Sequence, residues 1–208
     1  MKQSDFDPAH QIQSLESKIV VSLERIAEAF RVLLWQKSKA HALTPIQIQI
    51  LIFLLHHNEG KRKVSILAKE FNMTKATISE AIKTLEQKKL ITKSYLREDT
   101  RSYQIHLTDA GKELATEISL FTREIHAPIM ALPEEAKNQL LLNLLSIIDH
   151  LYKAGVISLQ RMCFTCLNYE YRDSQQAHFC KLLNQELHPS NLRVNCQEHQ
   201  ARQATATI

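Results

Sequence analysis

Four cysteines stand between positions 163 and 196, as Cys163-Phe-Thr-Cys166, His178-Phe-Cys180 and Cys196-Gln-Glu-His199. A Cys-x-x-Cys pair spans the distance needed to hold one metal through two thiolates, and two later cysteines can complete a tetrahedral set. This pattern fits zinc held by Cys163, Cys166, Cys180 and Cys196, with His178 and His199 as reserve ligands if one sulfur is displaced. It also fits a cysteine-ligated iron–sulfur cluster, which neighbouring aromatics such as Phe164 and Phe179 would suit. Disulfides or free thiols are the third reading, disfavoured in a reducing cytoplasm except as a redox sensor. The second half lacks another Cys-x-x-Cys, so the zinc-ribbon match is partial. Converging thiolates repel one another without a cation, so metal binding would order this tail.

A second group of residues has the spacing of a nucleic-acid contact. Ala68, Asn72 and Ile78 follow the four-then-six spacing of a helix-turn-helix: a small residue for close approach, a turn residue at positive φ, and an apolar anchor. Asn occupies the left-handed region more readily than most residues. Leu67 and Phe71 lie one turn apart, and Ile78, Ile82 and Leu85 recur at helical spacing, so each helix has a face to bury. Thr74 suits an N-cap. The outward residues Lys75, Ala76, Thr77, Ser79 and Lys83, with Thr74, can meet a groove floor or phosphates. The bland alternative is the solvated face of an ordinary helix.

Two runs rich in β-branched and aromatic residues follow, 90–96 and 102–107, joined by Arg97-Glu98-Asp99-Thr100-Arg101. They read as a hairpin wing. With Asp99-x-Arg101 and then Leu107-Thr108-x-x-Gly111, the span from Leu43 to Gly111 resembles the MarR family of bacterial transcriptional regulators. The resemblance implies that Arg101 enters a minor groove and that Asp99 orients it. A narrow minor groove concentrates negative potential and attracts guanidinium. Arg97 is a further contact residue, or else the partner of Glu98 or Asp99 in a surface salt bridge. Small, often phenolic effectors and a homodimer are also implied. No cysteine precedes Cys163, so the N-terminal oxidant-sensing cysteine of some relatives has no counterpart. The Cys-rich tail resembles extensions on some MarR-like regulators and lies outside the family's common core.

Charge agrees with a duplex DNA partner. Residues 61–101 hold eleven Lys and Arg against five Asp and Glu, an excess of six, while the whole chain has an excess of four, leaving −2 elsewhere. Basic charge is thus concentrated where phosphates would lie. Glycine occurs only at 60, 111 and 155, too sparsely for phosphate-cradling loops, and no hydrolase or zinc-protease motif is present. An enzyme is not expected. The start of the chain lacks a signal peptide's apolar core, and the longest apolar run, Ile50 to Leu55, is too short to cross a bilayer. A cytoplasmic protein without a membrane partner is expected.

These residues must be positioned by helices. Ile12, Leu15, Ile19, Leu23, Ile26, Phe30 and Leu33 form one stripe along a long helix. Thr44-Pro45-Ile46-Gln47 combines an N-cap, Pro at the first helical position and a capping-box Gln. That cap makes the alternating Ile46-Gln-Ile-Gln-Ile a helix and not a strand. Thr108 can cap another long helix from Asp109 toward Ala127, and a further helix runs from Pro133 through Leu151. Pro128 and Pro133 bracket the break.

The expected fold is mainly α with a small β-wing: a winged helix-turn-helix over 44–111, with dimerisation helices over about 10–39 and 109–157. Residues 1–157 form that domain and 158–208 a Cys-rich extension. Long amphipathic helices at both ends call for a homodimer, or, failing that, a monomeric bundle. The function expected is DNA-binding regulation on a pseudo-palindromic operator. The alternatives are a metal- or redox-responsive switch sensed by the tail, a metal-dependent enzyme, or a protein-docking adaptor.

Overall fold

The computed structural model describes residues 3–96, 99–158, 160–174 and 176–202. Its backbone divides into two compact units, Met1–Leu67 with Thr74–His126, and Ala68–Met73 with Ala127–Ile208.

In the first unit the Asp7 carboxylate caps α1 (Pro8–Gln13) by accepting the Ala9 N–H at 3.0 Å. Ser14 ends α1 and starts α2 (Leu15–His41), its hydroxyl accepting the Ser17 N–H at 3.0 Å. The stripe expected on one helix is therefore divided, with Ile12 on α1 and the rest on α2. Two local caps overrule a continuous apolar period.

In α3 (Pro45–His56), Thr44 Oγ1 accepts the Gln47 N–H at 3.4 Å and Gln47 Oε1 accepts the Thr44 N–H at 2.9 Å. This reciprocal cap fixes a helix whose Ile48, Ile50, Leu51 and Leu54 are fully buried. Around α3 pack α5 (Lys75–Gln87), the wing strand β2 (Asp99–Leu107) and α6 (Asp109–Ile118). The strand β1 (Ile91–Leu96) pairs antiparallel with β2, Ile91 opposite Leu107 and Tyr95 opposite Tyr103.

The helix expected from Asp109 to Ala127 is interrupted. A 3-10 turn over Ser119–Thr122 separates α6 from α7 (Arg123–Met130), and Pro128 lies inside α7 rather than at a break. Pro128 removes one backbone bond, and α7 ends two residues later. The break comes before α8 (Glu134–Lys153).

The second unit contains α8 and the cysteine tail. Leu145 of α8 is buried with Met162, Cys163, Leu187 and Leu192, so this helix completes the tail's core. The tail also holds a sheet that the sequence reading did not foresee: β3 (Tyr169–Arg172), β4 (Ala177–Cys180) and β5 (Gln185–Leu187), antiparallel in that order. These strands are too short to show a period.

Four helices close on the same left-handed cap: α2 at Ala42 (φ 49°), α4 (Val64–Glu70) at Asn72 (φ 51°), α5 at Lys89 (φ 59°) and α8 at Gly155 (φ 72°). The next amide in each case reaches back five residues, Leu43 to Ser38 at 3.0 Å and Met73 to Ala68 at 2.9 Å among them. Among the described residues no single helix is long and apolar enough to cross a membrane.

Candidate functional site

The exposed face of α5 is set by its cap and its buried stripe. Thr74 Oγ1 accepts the Thr77 N–H at 3.1 Å, fixing the first turn. Ile78, Ala81, Ile82 and Leu85 face inward and are buried. This leaves Thr74, Lys75, Ala76, Thr77, Ser79 and Lys83 exposed. Hydroxyls, a methyl and two ammonium groups therefore share one surface, a set suited to base edges and phosphates.

The wing is anchored at its base by Thr108 and Gly111. Thr108 Oγ1 donates to the Lys89 carbonyl at 2.8 Å and accepts the Gly111 N–H at 3.0 Å, while the Thr108 N–H donates to the Leu90 carbonyl at 3.1 Å. A Cβ on Gly111 would lie 1.9 Å from the Leu90 carbonyl oxygen, so the strand–helix junction excludes any side chain there. Lys93 on β1 donates to Glu86 on α5 at 2.6 Å. Burial pulls the Lys93 pKa down, but the Glu86 hydrogen bond and the charges of Tyr103, Glu86 and Tyr95 outweigh it and raise it. Asp99 and Arg101 belong to β2 by backbone; their side chains, and all of Arg97, lie outside the described residues.

In the second unit all four cysteines line one cavity of about 310 Å³. Cys163 and Cys166 flank a 3-10 turn closed by the Cys166 N–H on the Cys163 carbonyl at 2.9 Å. Cys180 ends β4 opposite Tyr169 of β3. The Cys196 N–H donates to the Arg161 carbonyl at 2.8 Å. None of the four is in a disulfide; Cys163 and Cys166 are buried and the other two half-buried. Burial pushes the Cys163 thiol up, the Arg193 amide opposes that shift, and the charges of Cys196, Cys166 and Cys180 add to it.

Neither reserve ligand lines this cavity. His178 Nδ1 pairs with the Tyr169 hydroxyl at 2.7 Å, and His199 Nε2 with the Thr165 hydroxyl at 3.0 Å. As placed, no three His, Cys, Asp or Glu side chains among the described residues close around a single ion position. Two further cavity residues had no sequence signal as site residues. Arg193 gives its amide to Cys163 Sγ at 3.2 Å and Nη1 to Cys196 Sγ at 3.6 Å. Asn168 lines the wall with its Nδ2 buried and without a hydrogen-bond partner.

Residues 42–102 match the model of the MarR family. The winged helix of this chain belongs to the MarR family. Among solved structures, the DNA complex of Staphylococcus aureus MepR is similar over 64% of this chain and 97% of that one, at 27% identity and a TM-score of 0.56. MepR in its DNA-binding conformation matches at 26% identity over 64% and 98% of the two chains, again with a TM-score of 0.56. A MarR transcriptional regulator from Methanosarcina mazei Go1 shares the fold at 18% identity, over 63% and 96% of the chains, with a TM-score of 0.53. No curated protein sequence matches the chain. The matched region is the winged helix, and the MarR family whose model it matches is one of transcription regulators and not enzymes.

Proposed function

We propose that this regulator binds double-stranded DNA as a homodimer, each subunit laying α5 in a major groove and its wing along the adjacent minor groove of a pseudo-palindromic site. The observation that carries the proposal is the face of α5, where Thr74, Lys75, Ala76, Thr77, Ser79 and Lys83 are all exposed over a buried stripe. The relatives in complex with DNA support the same partner. Dimerisation is supported by α1 and α2, which leave Ile12 75%, Leu15 65% and Trp35 53% exposed. The buried residues of α2 are two serines, Ser17 and Ser38. Apolar area of that kind on long terminal helices is covered most simply by a second copy.

Sedimentation of the full chain, with fluorescence anisotropy on a duplex recovered by selection from random sequence, tests this reading. A dimer is expected, with half-site centres about one helical turn, roughly 10 bp, apart. Affinity should fall steeply with salt. A stable monomer at micromolar concentration, or equal affinity for the selected and a scrambled duplex, would overturn it.

A further inference from the structure

We propose that Cys163, Cys166, Cys180 and Cys196 ligate an iron–sulfur cluster seated in the cavity they share. The four come from separate parts of the tail, a 3-10 turn, the end of β4 and the segment after Leu192, yet all line the same space. Packing alone explains buried cysteines as small apolar groups, which suits Cys163 and Cys166 taken singly. It does not explain two half-buried cysteines on the same cavity, or the Arg193 guanidinium aimed at Cys196 Sγ.

The spread of the four cysteines around one cavity bears on the occupant. In a four-sulfur zinc site, bonds of about 2.3 Å draw the sulfurs to roughly 4 Å from one another around a point. Here the sulfurs border about 310 Å³, and no three ligating side chains close on one ion position. A cluster of several irons and sulfides presents its ligand positions around a volume.

Donors are also in place for it. Iron–sulfur centres are tuned by hydrogen bonds to their sulfurs, and the Arg193 amide already donates to Cys163 Sγ at 3.2 Å. The remaining wall is mixed, Leu187 and Tyr169 standing beside Gln185, Asn191 and Glu198.

The test is metal and acid-labile sulfide analysis of the full chain purified without oxygen, with its visible spectrum. Iron and sulfide in matching amounts and a broad visible absorption are expected. Each of Cys163→Ser, Cys166→Ser, Cys180→Ser and Cys196→Ser should lose most of both, whereas His178→Ala and His199→Ala should keep them. Stoichiometric zinc without visible absorption would overturn the proposal. So would wild-type protein that takes up no cluster after anaerobic incubation with iron and sulfide, a result independent of how any variant folds.

Discussion

Arg161 Nη2 lies 2.7 Å from Glu70 Oε2, with the two side chains only 11% and 20% exposed. Both belong to the second unit, and Glu70 ends α4 just before the left-handed Asn72. The backbone of Arg161 meanwhile accepts the Cys196 N–H, and Ser158 Oγ donates to the Lys69 carbonyl at 3.0 Å. One residue therefore joins the turn of the helix-turn-helix to a cavity cysteine.

Removing one partner of a mostly buried ion pair strands the other charge. Glu70→Gln and Arg161→Met should each destabilise the second unit, and the double variant should lose less than the two singles together. Urea denaturation around this cycle should give a coupling of about 1–3 kcal/mol. Strictly additive losses would show that the two charges do not act as a pair.

Ala42 holds φ 49° at the end of α2, a conformation that crowds its Cβ against the backbone. Ala42→Gly keeps the Leu43 N–H on the Ser38 carbonyl and removes the crowding. Thermal unfolding should show a gain of about 1 kcal/mol, less the entropy that glycine adds to the unfolded chain.

Gly111→Ala should do the reverse. Its Cβ would fall 1.9 Å from the Leu90 oxygen and 2.9 Å from the Leu90 carbonyl carbon, and that carbonyl already accepts the Thr108 N–H. No flexible side chain can give way, so a loss of at least about 3 kcal/mol is expected. Gly60→Ala is the control: its nearest neighbour is Asn58 Oδ1 at 3.8 Å, and its denaturation midpoint should scarcely move.

What was legible in the sequence was mostly what is decided within three or four residues. Thr44 with Gln47, Thr74 with Thr77, and Thr108 with Gly111 are hydrogen bonds between near neighbours, and each marks a helix start. Asn72 is local in the same sense, since its left-handed φ closes a turn bonded to Lys69 and Ala68, three to five residues back. The division at Ser14 was hidden because an apolar stripe runs through it unbroken. The β3–β5 sheet was hidden for another reason: its strands are three or four residues long, and their burial depends on Leu145, Met162 and Leu192, remote in the chain. The donors at the cavity also meet their partners across long separations, Arg193 reaching Cys163 from thirty residues away. Spacing rules grouped the cysteines as one candidate set but could not supply Arg193 or Asn168.

Lys93 and Glu86 give a pH dependence of defined sign. The folded Lys93 ammonium is raised above its ordinary value of 10.5, burial opposing and the Glu86 hydrogen bond at 2.6 Å favouring the shift. A raised folded pKa contributes stability that is fully present below the ordinary value and is lost as pH rises through the folded one. The stability difference between wild type and Glu86→Gln should be flat from neutral pH to about 9 and shrink above about 10.5. Glu86 is 42% exposed, so screening should hold the difference to under about 1 kcal/mol. A difference that grew with pH would reverse the assignment.

The final prediction separates the two kinds of DNA contact. Lys83 is exposed on α5, and in the proposed complex its ammonium meets a phosphate, whose charge is the same at every sequence. Lys83→Ala should weaken binding to selected and scrambled duplexes alike and lower the salt slope by about one counterion. Arg101 follows Asp99 on the wing strand β2, and in the proposed complex the wing supplies a guanidinium to the minor groove. Narrow grooves attract guanidinium through a potential that depends on sequence. Arg101→Ala should therefore cost about 1–3 kcal/mol on the selected duplex and much less on a scrambled one, narrowing the ratio between them. Anisotropy titrations at several salt concentrations read both quantities. An Arg101→Ala protein with an unchanged affinity ratio would remove the wing from sequence reading and leave recognition to α5.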